Sequence, residues 1–300
     1  MSGIENHFIK NQSLKAFNSW KVGGTAELFF EPKQFEELQS AYLYASKNKI
    51  PVTVISQGTN VLVSDQGIAG LTLCLRSFKK QIDFLEDSNF LKFNVFSGTT
   101  KSELAKIFLQ NKMAPALFLT GLPGDVGGGI VMNAGVSEAI IPREFGEIID
   151  WIRVLKPSGE VVTLAHYQID WRYRSTNGWQ PGIIFEAGIK WPKQEDPDVM
   201  MKVKLATKNR LTRQPLDKPS GGSTFRNPPG AKAGQLIEQA GLKGKKIGGA
   251  QVSEKHANFI VTEPSAKASD IHELILFVQE TVKFKFQIDL HTEVVYVGRW

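Results

Sequence analysis

The sequence predicts an α+β protein in which a long mixed segment is followed by a smaller, separate α+β unit. Three observations carry this. Through the first two-thirds of the chain, β-branched runs of strand length alternate with apolar residues at helical spacing. Past Thr212 the pattern changes to two helices with short strand runs around them. Within the first of these regions, near the middle of the chain, lies Gly121-Leu122-Pro123-Gly124-Asp125-Val126-Gly127-Gly128-Gly129, in which five of nine residues are glycine.

In chain order, Trp20-Lys21-Val22-Gly23-Gly24-Thr25-Ala26 leads into a strand at 28–30, and Phe35, Leu38, Tyr42 and Ala45 mark a helix over 34–47. Pro51 opens a β-branched strand at 52–55, which turns through Gln57-Gly58-Thr59-Asn60 into Val61-Leu62-Val63. That polar turn sits at the carboxyl end of a strand, where ligands collect in α/β sheets. A strand at 91–97 precedes Thr100-Lys101-Ser102-Glu103, a capping box for a helix to about 111. The glycine run is expected as a loop. Residues 148–155 and 160–164 flank Lys156-Pro157-Ser158-Gly159 as a hairpin, a strand follows at 183–191, and 201–209 forms a basic helix and linker. Gly241 stops a helix over 231–240. Ser269 caps another, with the stripe Ile271, Leu274, Ile275, Val278 and Val282. Strand runs occupy 258–261 and 294–297.

Composition narrows the function classes. With 42% hydrophobic residues over 300 positions, the chain can bury a core without disulfides. The lone cysteine, Cys74, lies in an apolar run and points to a reducing compartment. No signal peptide or membrane-length apolar run is seen, so a cytoplasmic protein is expected. The net charge is +6, but the basic residues are scattered and no nucleic-acid motif accompanies them; steering of anionic small molecules accounts for the charge. The five histidines form no metal-ligand spacing.

Four segments could carry chemistry. The glycine run is either a linker or a ligand-contacting loop; the apolar Ile130-Val131-Met132 that follows favours the loop, whose N–H groups could cradle a pyrophosphate. It matches neither GxGxxG after a first strand nor GxxxxGK[ST]. Trp171-Arg172-Tyr173-Arg174-Ser175 is either a surface strand or a rigid grip on a carboxylate. Ser223, after Gly221-Gly222, is a turn residue or a presented hydroxyl; it lacks a nucleophile elbow. Glu293 faces either solvent or a site.

Six segments in order resemble the bacterial UDP-N-acetylenolpyruvoylglucosamine reductases, the MurB family. They are Trp20 to Ala26, Gln57 to Val63, the glycine run with Asn133-Ala134-Gly135, Tyr173-Arg174-Ser175, Gly222-Ser223-Thr224-Phe225-Arg226-Asn227-Pro228, and Ala250-Gln251-Val252-Ser253-Glu254-Lys255-His256-Ala257-Asn258-Phe259. The resemblance spans about 18–298. It implies an FAD-binding fold of the vanillyl-alcohol oxidase (PCMH) type at 21–193, in two subdomains split near 75, after an N-terminal segment at 1–20. A C-terminal substrate domain is implied at 207–300. The implied activity is a step of peptidoglycan precursor synthesis. Hydride passes from NADPH through FAD to C3 of UDP-N-acetylglucosamine enolpyruvate, giving UDP-N-acetylmuramate.

Matched position by position, the resemblance implies FAD contacts at Gln57, Gly58, Thr59, Asn60, Val61 and Leu62. A second set falls at Gly121, Pro123, Gly124, Val126, Gly127, Gly128, Asn133 and Ala134. It implies catalytic roles for Arg174, Ser223 and Glu293, and substrate contacts at Tyr173, Arg226, Asn227 and Gln251. Arg174 would stabilise charge on the substrate carboxylate, a neutral Glu293 would hydrogen-bond it, and Ser223 would protonate C2. The enzyme is expected as a monomer, with no metal, nucleic acid or membrane partner. Asp125 departs from the small or hydroxyl residue usual there, so its carboxylate must turn away from a diphosphate or meet a cation; Gly129 replaces a frequent alanine. Residues 136–147 are atypical, and the short stretch between Trp191 and Arg213 resembles the family class lacking a long tyrosine-bearing loop. The rival readings are an oxygen-using FAD oxidase and a flavin-free nucleotide-sugar or RNA binder.

Overall fold

A five-stranded antiparallel sheet forms the centre of the first of two compact units. The computed structural model describes residues 3–136 and 140–300. One unit comprises 1–8, 30–56 and 73–209; the other comprises 9–29, 57–72 and 210–300. Thus the chain passes from one to the other after Phe8, Phe29, Ser56, Thr72 and Asn209.

In the first unit the strands lie in the order Asp83–Leu85, Phe90–Phe96, Ile183–Pro192, Ile149–Leu155, Val161–Ala165. Ile183–Pro192 is central and buried along most of its length, which explains its near-continuous apolar run. Its one acidic residue, Glu186, sits where the register with Ile149–Leu155 shifts. The buried carboxylate takes Lys80 at 2.6 Å and Arg153 at 2.9 Å, the pairing that a buried charge requires. Helix Lys101–Gln110 begins at the expected capping box: Thr100 accepts from the Glu103 N–H at 3.2 Å, and the Glu103 carboxylate accepts from the Thr100 N–H at 2.7 Å. Leu104, Ile107 and Phe108 on its inner face pack with Phe93, Phe118, Ile130 and Phe145.

The second half of the glycine run is a helix, Val126–Val131, where a loop was expected. Asp125 is its N-cap, with its carboxylate accepting from the Gly128 N–H at 2.9 Å. A cap and tight packing override the low helix propensity of three glycines. A Cβ at Gly127 would lie 2.9 Å from the Ser97 Cβ, and one at Gly129 would meet the Phe145 ring at 2.5 Å. The basic helix is longer than expected, Val199–Arg213.

In the second unit, Ile9–Ser13 pairs antiparallel with Thr25–Phe30, and Val61–Val63 pairs parallel with Val295–Val297. Lys246–Ile247, Ala250–Val252 and Ile260–Thr262 form an antiparallel sheet. Helix Ala268–Phe286 buries the expected stripe Ile271, Leu274, Ile275, Val278 and Val282. Its N-cap is Lys267, not Ser269. The free N–H groups of Ala268 and Ser269 donate to the Asp65 carboxylate at 3.0 and 2.9 Å, so a residue about 200 positions away supplies what a local serine would. Trp20 is buried in the same core and donates its ring N–H to the Ile260 carbonyl at 2.8 Å. Among the described residues no helix is long and apolar enough to cross a membrane.

Candidate active site

The glycine segment of the first unit is tied down by its own amides. The Val126 N–H donates to Thr99 O at 2.9 Å, Gly127 to Ser97 O at 2.8 Å, and Gly129 to Asp125 O at 2.9 Å. With Gly128 on the Asp125 carboxylate, the helix start has its donors engaged within the chain. The expected cradle of open amides is therefore absent from 126–129. The hydroxyls flanking it differ: Ser97 Oγ and Thr99 Oγ1 are buried without a hydrogen-bond partner among the described residues. Two such donors beside a glycine-walled segment suit an oxygen-rich ligand, because each buried, unpaired hydroxyl carries a desolvation cost that a phosphate oxygen would relieve. Residues of this unit therefore fit a diphosphate group through hydroxyls more than amides. Nothing in the sequence singled out Ser97 or Thr99, which there mark only a strand end and turn.

Asn133 organises the end of this segment. Its amide donates to the Glu144 carboxylate at 2.9 Å and to Arg172 O at 3.1 Å, while its side-chain carbonyl accepts from the Gly146 N–H at 2.9 Å. The Asn133 and Ala134 N–H groups donate to Ile130 O and Gly129 O. Both residues are thus committed to holding neighbouring segments. One of these is the hairpin Asp170–Arg172 and Ser175–Asn177, whose two-residue turn is Tyr173-Arg174. Thr176 fastens it to the glycine helix, donating to Ile130 O at 3.1 Å.

Arg174 has φ +57°, a strained conformation for a side-chain-bearing residue. It is buried, donates to Gly135 O at 2.9 Å, and lies 4.7 Å from the Tyr173 ring centre. That stacking fixes the guanidinium plane. Tyr173 itself is exposed. Of the atypical segment after Asn133-Ala134-Gly135, residues 137–139 lie outside the described residues.

Near these groups the first unit buries a cation that sequence reasoning passed over as the first residue of a helix. Lys101 is 5% exposed; its ammonium donates to Pro123 O at 2.8 Å and faces the Phe145 ring at 5.5 Å. Burial pushes its pKa down to about 8, the Asp125 carboxylate pulls the other way, and the Arg174 charge adds to the depression. Asp125, 2% exposed, has its carboxylate turned onto the helix start with a cation in its field, which joins the two expectations for it.

In the second unit the turn at 57–60 is pinned at two points: the Ser19 N–H donates to Gly58 O at 3.0 Å and the Val295 N–H to Asn60 O at 3.0 Å. Gly58 has φ +62°. Asn60 donates its amide to Glu293 O at 3.0 Å. The Leu62 side chain is wholly in the core, as is that of Val126 in the first unit, so either could meet a ligand only through its backbone.

Ser223 and Glu293 are brought together on paired segments of this unit. The Glu293 N–H donates to Thr224 O at 2.9 Å, Phe225 bridges to Thr292, and the Arg226 N–H donates to His291 O at 2.9 Å. Asn258 holds the same segment from its other side: the Thr224 N–H donates to its backbone carbonyl at 2.8 Å, and its amide bonds both backbone groups of Phe225. Ser223 follows Gly222 at φ +78° and is half-buried, as is Glu293. Arg226 Nε is buried without a hydrogen-bond partner among the described residues. Asn227 accepts from the Ala233 N–H at 3.0 Å, where helix Ala233–Gln239 starts. Gln251 lines a cavity of about 240 Å³ with Lys218 and Lys255.

Comparison with known proteins matches this arrangement to one family. Residues 26–165 match the model of an FAD binding domain, and 214–297 match that of the UDP-N-acetylenolpyruvoylglucosamine reductase C-terminal domain. The UDP-N-acetylenolpyruvoylglucosamine reductase of Clostridium tetani is 36% identical, over 96% of this chain and 91% of that protein. Its counterpart from Rickettsia felis is 35% identical, over 99% and 98%. Among solved structures, the MurB enzyme of Thermus caldophilus superposes with a TM-score of 0.77 at 26% identity, over 97% of this chain and all of that one. The chain has an α+β fold with an FAD-binding domain, and it belongs to the UDP-N-acetylenolpyruvoylglucosamine reductase (MurB) family.

Proposed function

We infer that this chain reduces UDP-N-acetylglucosamine enolpyruvate to UDP-N-acetylmuramate at the expense of NADPH, with FAD as its cofactor. The observation that carries this is identity of 35–36% to named reductases over nearly the whole chain. Residues 21–193 would hold FAD and 207–300 the substrate. When bound, FAD carries hydride from NADPH to C3 of the enolpyruvyl group.

The chain's own residues do the rest. The Ser97 and Thr99 hydroxyls would hold the diphosphate, with 57–62 and 121–128 as further FAD contacts. Arrival of hydride at C3 leaves negative charge on C2 and its carboxylate. Arg174, stacked on Tyr173, takes that charge. Ser223 gives its hydroxyl proton to C2, completing addition of one hydride and one proton across the double bond. Glu293, one backbone hydrogen bond from the Ser223 segment, binds the carboxylate as a neutral donor. Arg226, Asn227 and Gln251 hold the nucleotide sugar. The proposed setting is the cytoplasm, as a monomer, with no nucleic-acid or membrane partner. The lone Cys74, which can form no disulfide within the chain, supports a reducing compartment.

The test is spectroscopic. Purified protein is expected to show flavin absorbance near ~450 nm, to release FAD on denaturation, and to oxidise NADPH only when the enolpyruvyl nucleotide sugar is present. Absence of flavin from folded protein that also fails to bind added FAD would overturn the reading. NADPH oxidation indifferent to the substrate would remove the reductase, and substrate-independent oxygen consumption would favour an oxidase.

A further inference from the structure

Both backbone groups of Glu293 are held, each by a different segment of the second unit. Its N–H donates to Thr224 O at 2.9 Å, and its carbonyl accepts from the Asn60 side-chain amide at 3.0 Å. The Asn60 backbone carbonyl accepts in turn from the Val295 N–H at 3.0 Å, so one asparagine grips the chain at Glu293 and again at Val295. Val294, between them, is buried in the core of this unit. Just beyond, Val61–Val63 and Val295–Val297 run parallel with Val295 opposite Val61, and Asn60 stands where that pair begins. The turn that bears it is itself fixed, because the Ser19 N–H donates to Gly58 O at 3.0 Å. A side chain is placed no better than the backbone that carries it, and both residues are only half-buried, so the amide bond and not general packing sets the position of Glu293.

We propose that Asn60 is a positioning residue for Glu293: its amide holds the Glu293 carbonyl, so that the carboxyl group of Glu293 meets the enolpyruvyl carboxylate in register with the turn at 57–62. This rests on the reading that Glu293 binds that carboxylate. Asn60 then joins the turn read as contacting the cofactor to the residue read as contacting the substrate, and one side chain fixes their spacing. Such spacing matters to rate, because misplacing a reacting or binding group by about 1 Å can cost ~10²-fold. A substitution at position 60 removes the amide and leaves the backbone carbonyl that holds Val295, so it separates the grip on Glu293 from the strand pairing beside it.

The experiment is stopped-flow reoxidation of the reduced, FAD-loaded, full-length protein by the enolpyruvyl nucleotide sugar, with flavin reduction by NADPH measured alongside. The proteins compared are wild type, Asn60→Ala, Glu293→Ala and the double variant. Asn60→Ala is expected to slow reoxidation at least ~10-fold, and to slow it more than reduction. In the Glu293→Ala background the same substitution should change reoxidation less than about threefold, since no carboxyl group is left to misplace. An Asn60 that served only the fold or only the cofactor would slow reoxidation by the same factor in both backgrounds, and that result would overturn the proposal. So would equal slowing of the two half-reactions by Asn60→Ala, or reoxidation within about threefold of wild type. If Asn60→Ala does not fold, Asn60→Ser, which also lacks the amide, goes through the same comparison and is judged by the same outcomes. A Glu293→Ala protein reoxidised like wild type would instead fail the reading on which the proposal rests.

Discussion

Asn258 occupies both backbone hydrogen-bonding groups of Phe225: its side-chain carbonyl accepts from the Phe225 N–H at 3.0 Å, and its amide donates to the Phe225 carbonyl at 2.9 Å. Both residues are buried, so no water replaces these bonds. Two positions upstream is Ser223, whose placement depends on this grip. Asn258→Ala should cost roughly 2–4 kcal/mol in denaturant unfolding, the sum of two stranded backbone groups. Asn258→Asp keeps the acceptor but sets a buried carboxylate oxygen against the Phe225 carbonyl, so it should cost at least as much. In stopped-flow measurements both variants should slow flavin reoxidation by substrate more than flavin reduction by NADPH. Equal slowing of the two would confine Asn258 to stability.

The same separation of half-reactions tests Ser223. Reduction of the flavin by NADPH needs no proton at C2 of the substrate, whereas product formation does. Ser223→Ala should leave the first nearly intact and slow the second by at least ~10²-fold, the contribution of a general acid. Ser223→Cys should keep part of the activity. If neither step slows, the residue is only a turn.

For Arg174 the expected signature is a fall in kcat. Charge that develops only in the transition state contributes little to substrate binding, so Arg174→Ala should lower kcat by ~10²–10³ with a much smaller rise in KM. Arg174→Lys should recover little, because an ammonium cannot reproduce the flat guanidinium stacked on Tyr173. Steady-state kinetics within a few-fold of wild type would reduce Arg174 to a structural group.

Lys101 also makes a prediction about pH. Its pKa is depressed in the folded protein, from 10.5 to about 8, so between those values the unfolded chain binds the extra proton. Stability therefore rises with pH across that window, and the penalty for burying the charge is fully present below pH 8. The difference in unfolding free energy between wild type and Lys101→Met should shift in favour of wild type from pH 8 to pH 10.5. A flat difference across this range would show that Lys101 keeps its proton.

Much of the fold was legible because its signals are local. The Thr100–Glu103 box, the stripe of Ala268–Phe286 and the strands at 52–55 and 61–63 each depend on residues within one turn or one run. Helix Val126–Val131 was not legible, since three glycines oppose it and Ser97 and Phe145, distant in sequence, enforce it. Ser269 misled for a related reason: the acceptor at that helix start is Asp65. At the candidate site, the segments resembling the family were readable from residue order. The burial of Lys101, the unpaired hydroxyls of Ser97 and Thr99, and the grip of Asn258 arise only when separate segments meet.

The interleaved path of the chain sets the order in which it can fold during synthesis. Val61–Val63 finds its parallel partner only in Val295–Val297, and Trp20 finds its acceptor at Ile260, 240 positions later. Until residues 210–300 leave the ribosome, 9–29 and 57–72 can pair their strands Ile9–Ser13, Thr25–Phe30 and Ile68–Cys74 with one another, but the core that buries Trp20, Val22 and Leu62 is missing, and those side chains stay open to chaperones or to mispairing. The contacts they await are of the most distant kind, which makes them slow to form. A nascent chain stopped near 209 would carry those two stretches without the third that completes their unit.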